Sequence, residues 1–255
     1  MKRLIFQCDG YVGELDASSL GSKVGIESVY LRSECMKKIT QEAIMKTLDW
    51  AYGAAVAGGA GLDSASDMAN DYMPKSDSES LRDRVDSLIR WQNLKSGTTG
   101  FLTGLGGLLT LPIAIPANIS VVLFVQVRMV AAIALMGGYD VKDDRVKALV
   151  YACMAGNSAK DILKNAGIVF GQKMAESAIK NISGKTIVAI NQKVGFRLLT
   201  KFGEKGIVNL GKAVPLIGGV IGAAFDSVAT NAVGNIARDT FIPLETAAGQ
   251  EEVEA

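Results

Sequence analysis

The 255-residue chain contains no histidine. That absence removes Ser-His-Asp and Cys-His nucleophilic catalysis, histidine-based metal ligation and the side chain that most often acts as a general base near neutral pH. Cysteine is scarce. Cys8, Cys35 and Cys153 are an odd number with no C-x-x-C spacing, which fits reduced, buried structural thiols in a reducing compartment better than a disulfide framework. Aromatic residues make up only 6% of the chain. A secretory signal is not evident either: MKRLIFQCDGYVGELD places two basic residues ahead of only three apolar ones before Gln7, so a cytoplasmic protein is expected.

What is present is apolar and small. Hydrophobic residues account for 49%, and the 28 glycines fall largely inside apolar stretches, a density that suggests closely approaching helices. The length is ample for one large core, and one domain overall is expected. Residues 26–57 have helical apolar spacing (Val29, Met36, Ile39, Ala43, Leu48) and end at Gly58-Gly59. Leu81, Val85, Leu88 and Ile89 share one face of a helix over 79–94, and further helices are expected near 117–137, 143–156, 158–182, 185–203 and 215–240. Between the first two helices an acidic polar linker is expected over 62–78, within the stretch LDSASDMANDYMPKSDSES that starts at Leu62, as a loop or short helix holding Pro74. No segment shows sustained strand alternation bounded by turn residues. The expected class is all-α, a multi-helix bundle with no β-sheet: an amino-terminal helical region over 1–61, the linker, a helical core over 79–242, and an acidic disordered tail over 243–255.

No catalytic, cofactor or metal motif assembles. GIVNLGK, residues 206–212, has the G-x-x-x-x-G-K spacing, but Ala213 follows where a phosphate-binding loop needs a hydroxyl for magnesium. Gly184-Lys185-Thr186 has the hydroxyl, yet Ile179 stands where the first glycine is needed. Both read as helix ends. Ser177 and Lys180 form an isolated S-x-x-K without its partner motifs. Asp140, Asp143 and Asp144, just ahead of RVKALVYACM, read as the capped start of a helix rather than as cation ligands. Asn118, Gln126, Asn231 and Asn235 lie within apolar helical stretches, where hydrogen bonds between packed helices explain them.

Ser96 to Val127 is a run of 32 residues without a charge, longer than the roughly 20 that cross a bilayer. Pro112 and Pro116 nevertheless break any single helix there, and Gly104, Gly106 and Gly107 weaken the part before them. Arg128 falls in the middle of the second piece, at a cost of roughly 2.5–3.5 kcal/mol for insertion. A helical hairpin, buried in the protein's own core or dipping into one leaflet, accommodates these features better than a span does. The segment PLIGGVIGAAFD repeats the character, with Gly218, Gly219 and Gly222 as a close-packing face. Its Asp226 is a candidate buried partner for Arg128, since a buried charge without a partner is strongly destabilising.

Charge is unevenly placed. Residues 141–212 carry 13 basic and 5 acidic side chains, whereas 213–255 carry 1 and 6. Within the basic block Lys193, Arg197, Lys201 and Lys205 recur every four residues, a helical stripe drifting about 40° per step, with Val194, Leu198 and Phe202 beside it. Such a stripe suits an anionic membrane surface, each cation contributing on the order of 1 kcal/mol, or an acidic protein partner; it is also what a solvated bundle helix displays. The block shows no recognisable nucleic-acid reading motif, so no nucleic acid is expected.

GLGGLLTLPIAIPANI, VRMVAAIALMGGYD, INQKVGFRLLTKFGEKGIVNLGKAVPLIGGVIGAAFD and NIARDTFI together resemble the EcsC family of bacterial proteins, over about residues 80–242. The resemblance implies an all-helical cytoplasmic or membrane-associated protein, of a family named for a component encoded beside an ABC transporter involved in secretion and competence. It brings no catalytic residues. Many relatives carry an acid just before the second proline of the L-P-x-x-x-P stretch; Ala114 and Ile115 stand there in this chain, so no role needing that acid carries over.

Three readings follow. The first is a non-enzymatic protein peripheral to the inner face of the cytoplasmic membrane, accessory to transport, secretion or envelope stress. The second is a soluble helical interaction module without membrane contact. The third is an enzyme built on carboxylates and lysines, which a concave pocket lined by such groups would support. A homo-oligomer is compatible with each.

Overall fold

The computed structural model describes residues 3–8, 11–16, 39–58, 63–76, 78–96, 115, 117–165, 167–168, 179–202 and 220–244. The chain divides into two compact units, Met1–Ile39 and Thr40–Ala255.

The first unit corrects the expectation of no β-sheet. Strands β1 (Arg3–Cys8) and β2 (Tyr11–Asp16) pair antiparallel, in a register running from Arg3 opposite Asp16 to Cys8 opposite Tyr11. The reason is local. Ile5, Phe6, Tyr11 and Val12 favour extended backbone, and the two residues between the paired ends are Asp9-Gly10, the dipeptide that most favours a tight hairpin connection. Helix over 26–38 lies outside the described residues.

The second unit is helical throughout its described residues, in the class expected. Helix α1 (Gln41–Ala57) starts where the Thr40 hydroxyl accepts a hydrogen bond from the Ala43 amide at 3.1 Å, and it buries Ile44, Leu48, Ala51, Tyr52 and Ala55. Helix α2 (Ala65–Tyr72) falls inside the expected linker. A reciprocal cap between Ser64 and Asp67 nucleates it, and Ala65, Met68 and Ala69 anchor it in the core. Helix α3 (Leu81–Ser96) buries Val85, Leu88 and Ile89.

Helix α4 (Ala117–Met136) is the centre of the unit and touches α1, α2 and α3. It ends in a Schellman turn: Gly138, at φ 83°, donates to the Leu135 carbonyl, and Tyr139 donates to that of Ala134. Helix α5 (Asp144–Met154) follows, its N-cap Asp143 accepting from the Arg145 amide at 2.8 Å, so the aspartate cluster includes the expected cap. The expected helix over 158–182 is corrected. A 3-10 turn (Gly156–Ser158) leads into the short α6 (Ala159–Lys164), which stops at a second Schellman turn where Gly167 takes φ 80°. Helices α7 (Gly184–Phe202) and α8 (Val220–Phe241) complete the unit.

Helix α8 lies along both α3 and α4. Arg82 bonds Asp239, Arg238 bonds Asp86 at 2.5 Å, and the Asn93 amide donates to Asn231 at 3.1 Å, tying α3 to α8. Gln126 of α4 donates to the Thr230 hydroxyl of α8 at 3.1 Å, the interhelical role expected for such a residue.

Candidate functional site

The long apolar run resolves in part. The 18-residue window Ile119–Met136 is apolar enough to cross a membrane, but 89% of it is buried inside the protein, which is how the central helix of a core also reads. Residues 97–114, with Gly104, Gly106 and Gly107, lie outside the described residues, as do Gly218 and Gly219; Gly222 is placed on α8 by its backbone.

Arg128 is buried within α4, only 3% exposed. Its Nη1 donates to the Asp63 carbonyl at 3.1 Å, and its guanidinium lies over the Phe124 ring, 5.5 Å from the centroid. Burial lowers its pKa, against the opposing charge of Asp63. Asp226 falls on α8, and its side chain is outside the described residues.

Helix α7 carries the basic stripe. The Ser183 hydroxyl accepts from the Thr186 amide at 3.2 Å, so Gly184-Lys185-Thr186 forms a capped first turn, the helix-end reading of that tripeptide. Ile190, Val194, Gly195 and Leu198 turn inward, and the helix packs on α1 and α5. Gly195 permits that approach, since a Cβ there would stand 2.7 Å from Gln41 Cγ; the same Gln41 donates to the Gln192 carbonyl at 3.1 Å. On the other side Lys193 and Arg197 are exposed. The stripe's drift carries Lys201 toward the packed side, where it is half-buried with its ammonium over the Phe202 ring at 4.8 Å. Lys205 is outside the described residues. No acidic residue interrupts α7.

Two side chains on this surface were not singled out by sequence reasoning. Phe196 is 62% exposed and Val188 54%. Their signal was available: Phe196 is nine residues from Ile187, two and a half helical turns, and therefore on the opposite side of the helix.

At the start of α7 a cavity of about 190 Å³ is lined by residues including Asp49, Asp144, Lys147 and Asn191. Two of its charged groups are engaged with each other. Lys147 lies 2.7 Å from Asp49, which also accepts from the Tyr151 hydroxyl at 2.8 Å. The Lys147 ammonium sits over the Tyr52 and Tyr151 rings, 5.5 Å from each centroid. This cluster joins α1 to α5.

The EcsC protein family model matches residues 32–242, most of the chain, and the protein belongs to that family. No curated protein matches it. No solved structure matches it either.

Proposed function

We propose that this EcsC-family protein is a non-enzymatic, peripherally membrane-associated bacterial protein of the cytoplasm, held on the inner face of the cytoplasmic membrane by the exposed basic side of α7. The observation that carries the reading is the outward projection of Lys193 and Arg197 from a helix without a single acid, whose opposite side is anchored in the core. Each exposed cation near an anionic leaflet contributes on the order of 1 kcal/mol. A role as an accessory to transport, secretion or envelope stress fits a protein that works at that surface. The non-enzymatic part rests on the sequence, which assembles no catalytic motif. Of the cavity's lining groups Asp49 and Lys147 are paired with each other, and an enzyme built on carboxylates and lysines would have to use that cavity.

Co-sedimentation with neutral and anionic vesicles at low and high salt tests the reading, beside a variant with Lys193, Arg197, Lys201 and Lys205 all changed to Gln. The expected result is binding to anionic vesicles alone, weakened by salt and in the variant. A second reading has an observation in its favour: because α4 is enclosed by its own unit, a soluble module whose basic face meets an acidic protein needs no membrane. Failure to sediment under every condition would select that module.

A further inference from the structure

Isolated exposed apolar residues are ordinary on protein surfaces and need no explanation. Phe196 differs in its setting. It projects from the middle of the exposed side of α7, opposite the residues that pack on α1 and α5. Lys185 lies three turns earlier and only about 20° round the helix from it, while Lys193 and Arg197 lie about 60° and 100° away in the other direction. Val188 is also exposed, about two turns earlier, but about 80° round the helix from Phe196 on the side away from Arg197. The helix carries no acid to repel an anion. A ring protruding between cations matches the layering of a leaflet, where phosphates lie above the acyl boundary and an apolar side chain reaches below them.

We infer that α7 docks on an anionic phospholipid leaflet with Phe196 entering the acyl boundary while Lys193 and Arg197 remain at the phosphates. The inference rests on the membrane-surface reading and adds to it a point and depth of contact. Binding then has two separable parts. The cations supply a salt-sensitive part, and Phe196 supplies a part that persists as salt rises.

Two variants of the full chain test it, on vesicles of phosphatidylcholine and phosphatidylglycerol, with unaltered thermal unfolding in solution as the check on folding. Phe196→Ser should weaken binding by roughly tenfold or more, the burial of one aromatic side chain being withdrawn. Phe196→Trp should gain a blue-shifted emission that bromine on the acyl chains quenches, over the background of Trp50 and Trp91 measured in the parent. If the parent binds in a salt-sensitive manner while Phe196→Ser binds equally well and Phe196→Trp is unquenched, insertion is wrong and the electrostatic surface reading stands. If the parent binds no vesicle, both are wrong, and the exposed ring belongs to an acidic protein interface.

Discussion

The carbonyl oxygen of Phe241, at the end of α8, occupies the space where a β-carbon on residue 137 would stand. Gly137 is therefore needed for the close approach of α8 to the end of α4. Gly234 has a softer constraint, because its Cβ would meet the Ile89 side chain at 2.8 Å rather than backbone. Gly137→Ala is expected to cost about 2–4 kcal/mol, since backbone cannot turn aside as the end of a side chain can. Gly234→Ala should cost roughly 1–2 kcal/mol, the overpacking being partly offset by the better helix propensity of alanine. Denaturant midpoints of the two variants check the order, and an equal or reversed cost would contradict it.

Tyr52 and Tyr151 make stability fall in alkali. Burial raises the pKa of both phenols above their ordinary value, helped at Tyr52 by Asp140, Asp144 and Asp143 and at Tyr151 by the bond to Asp49. The folded protein holds its phenolic protons where the unfolded chain, with a tyrosine pKa of about 10, releases them. Above that pH the unfolded state binds fewer protons than the native state, so unfolding becomes easier as pH rises; below it the two phenols add no pH dependence. Urea midpoints between about pH 8 and pH 11 should decline, and Tyr151→Phe should flatten the decline while losing about 1 kcal/mol at neutral pH with its hydrogen bond.

Cys153 is a structural thiol. It is fully buried, its Sγ lies 3.8 Å from the Thr240 hydroxyl, and burial pushes its pKa up to about 12. Since the thiolate is the reactive form, iodoacetamide should leave Cys153 unmodified in the native protein and modify it in urea. Site-resolved mass spectrometry reads the difference, and rapid native labelling would be the contrary result.

The buried guanidinium of Arg128 feels the charge of Asp63, and Asp226 is the further carboxylate proposed as its partner. On that pairing, Arg128→Met and Asp226→Asn each lower stability by about 3–5 kcal/mol, because each leaves a buried charge behind, and the double variant costs less than their sum. Additive losses would dissolve the pairing and leave Arg128 to the Asp63 carbonyl and the Phe124 ring.

Much of the helical unit was legible because its signals are local. The period of Leu81, Val85, Leu88 and Ile89 placed α3, and Asp143 marked the start of α5. Misreadings came where a short signal was outweighed by a longer pattern. Asp9-Gly10 separates two strands of only six residues each, and Gly167 ends a helix that the surrounding apolar spacing extends. Helix α2 was only an alternative within a polar stretch, since Met68 and the flanking alanines become core residues through packing on α4.

Of the candidate surface, the sequence alone determined the four-residue recurrence of Lys193, Arg197, Lys201 and Lys205 and the lack of histidine chemistry. Tertiary structure decided which cations face outward. Lys193 and Arg197 do, while helical drift turns Lys201 toward the packed side. It likewise decided that the most apolar described helix is enclosed and that Phe196 is not. Periodicity belongs to a single segment and can be read within it. Burial depends on what the rest of the chain places opposite each side chain, and residues as remote as Gln41 and Gly195 meet only in the folded protein.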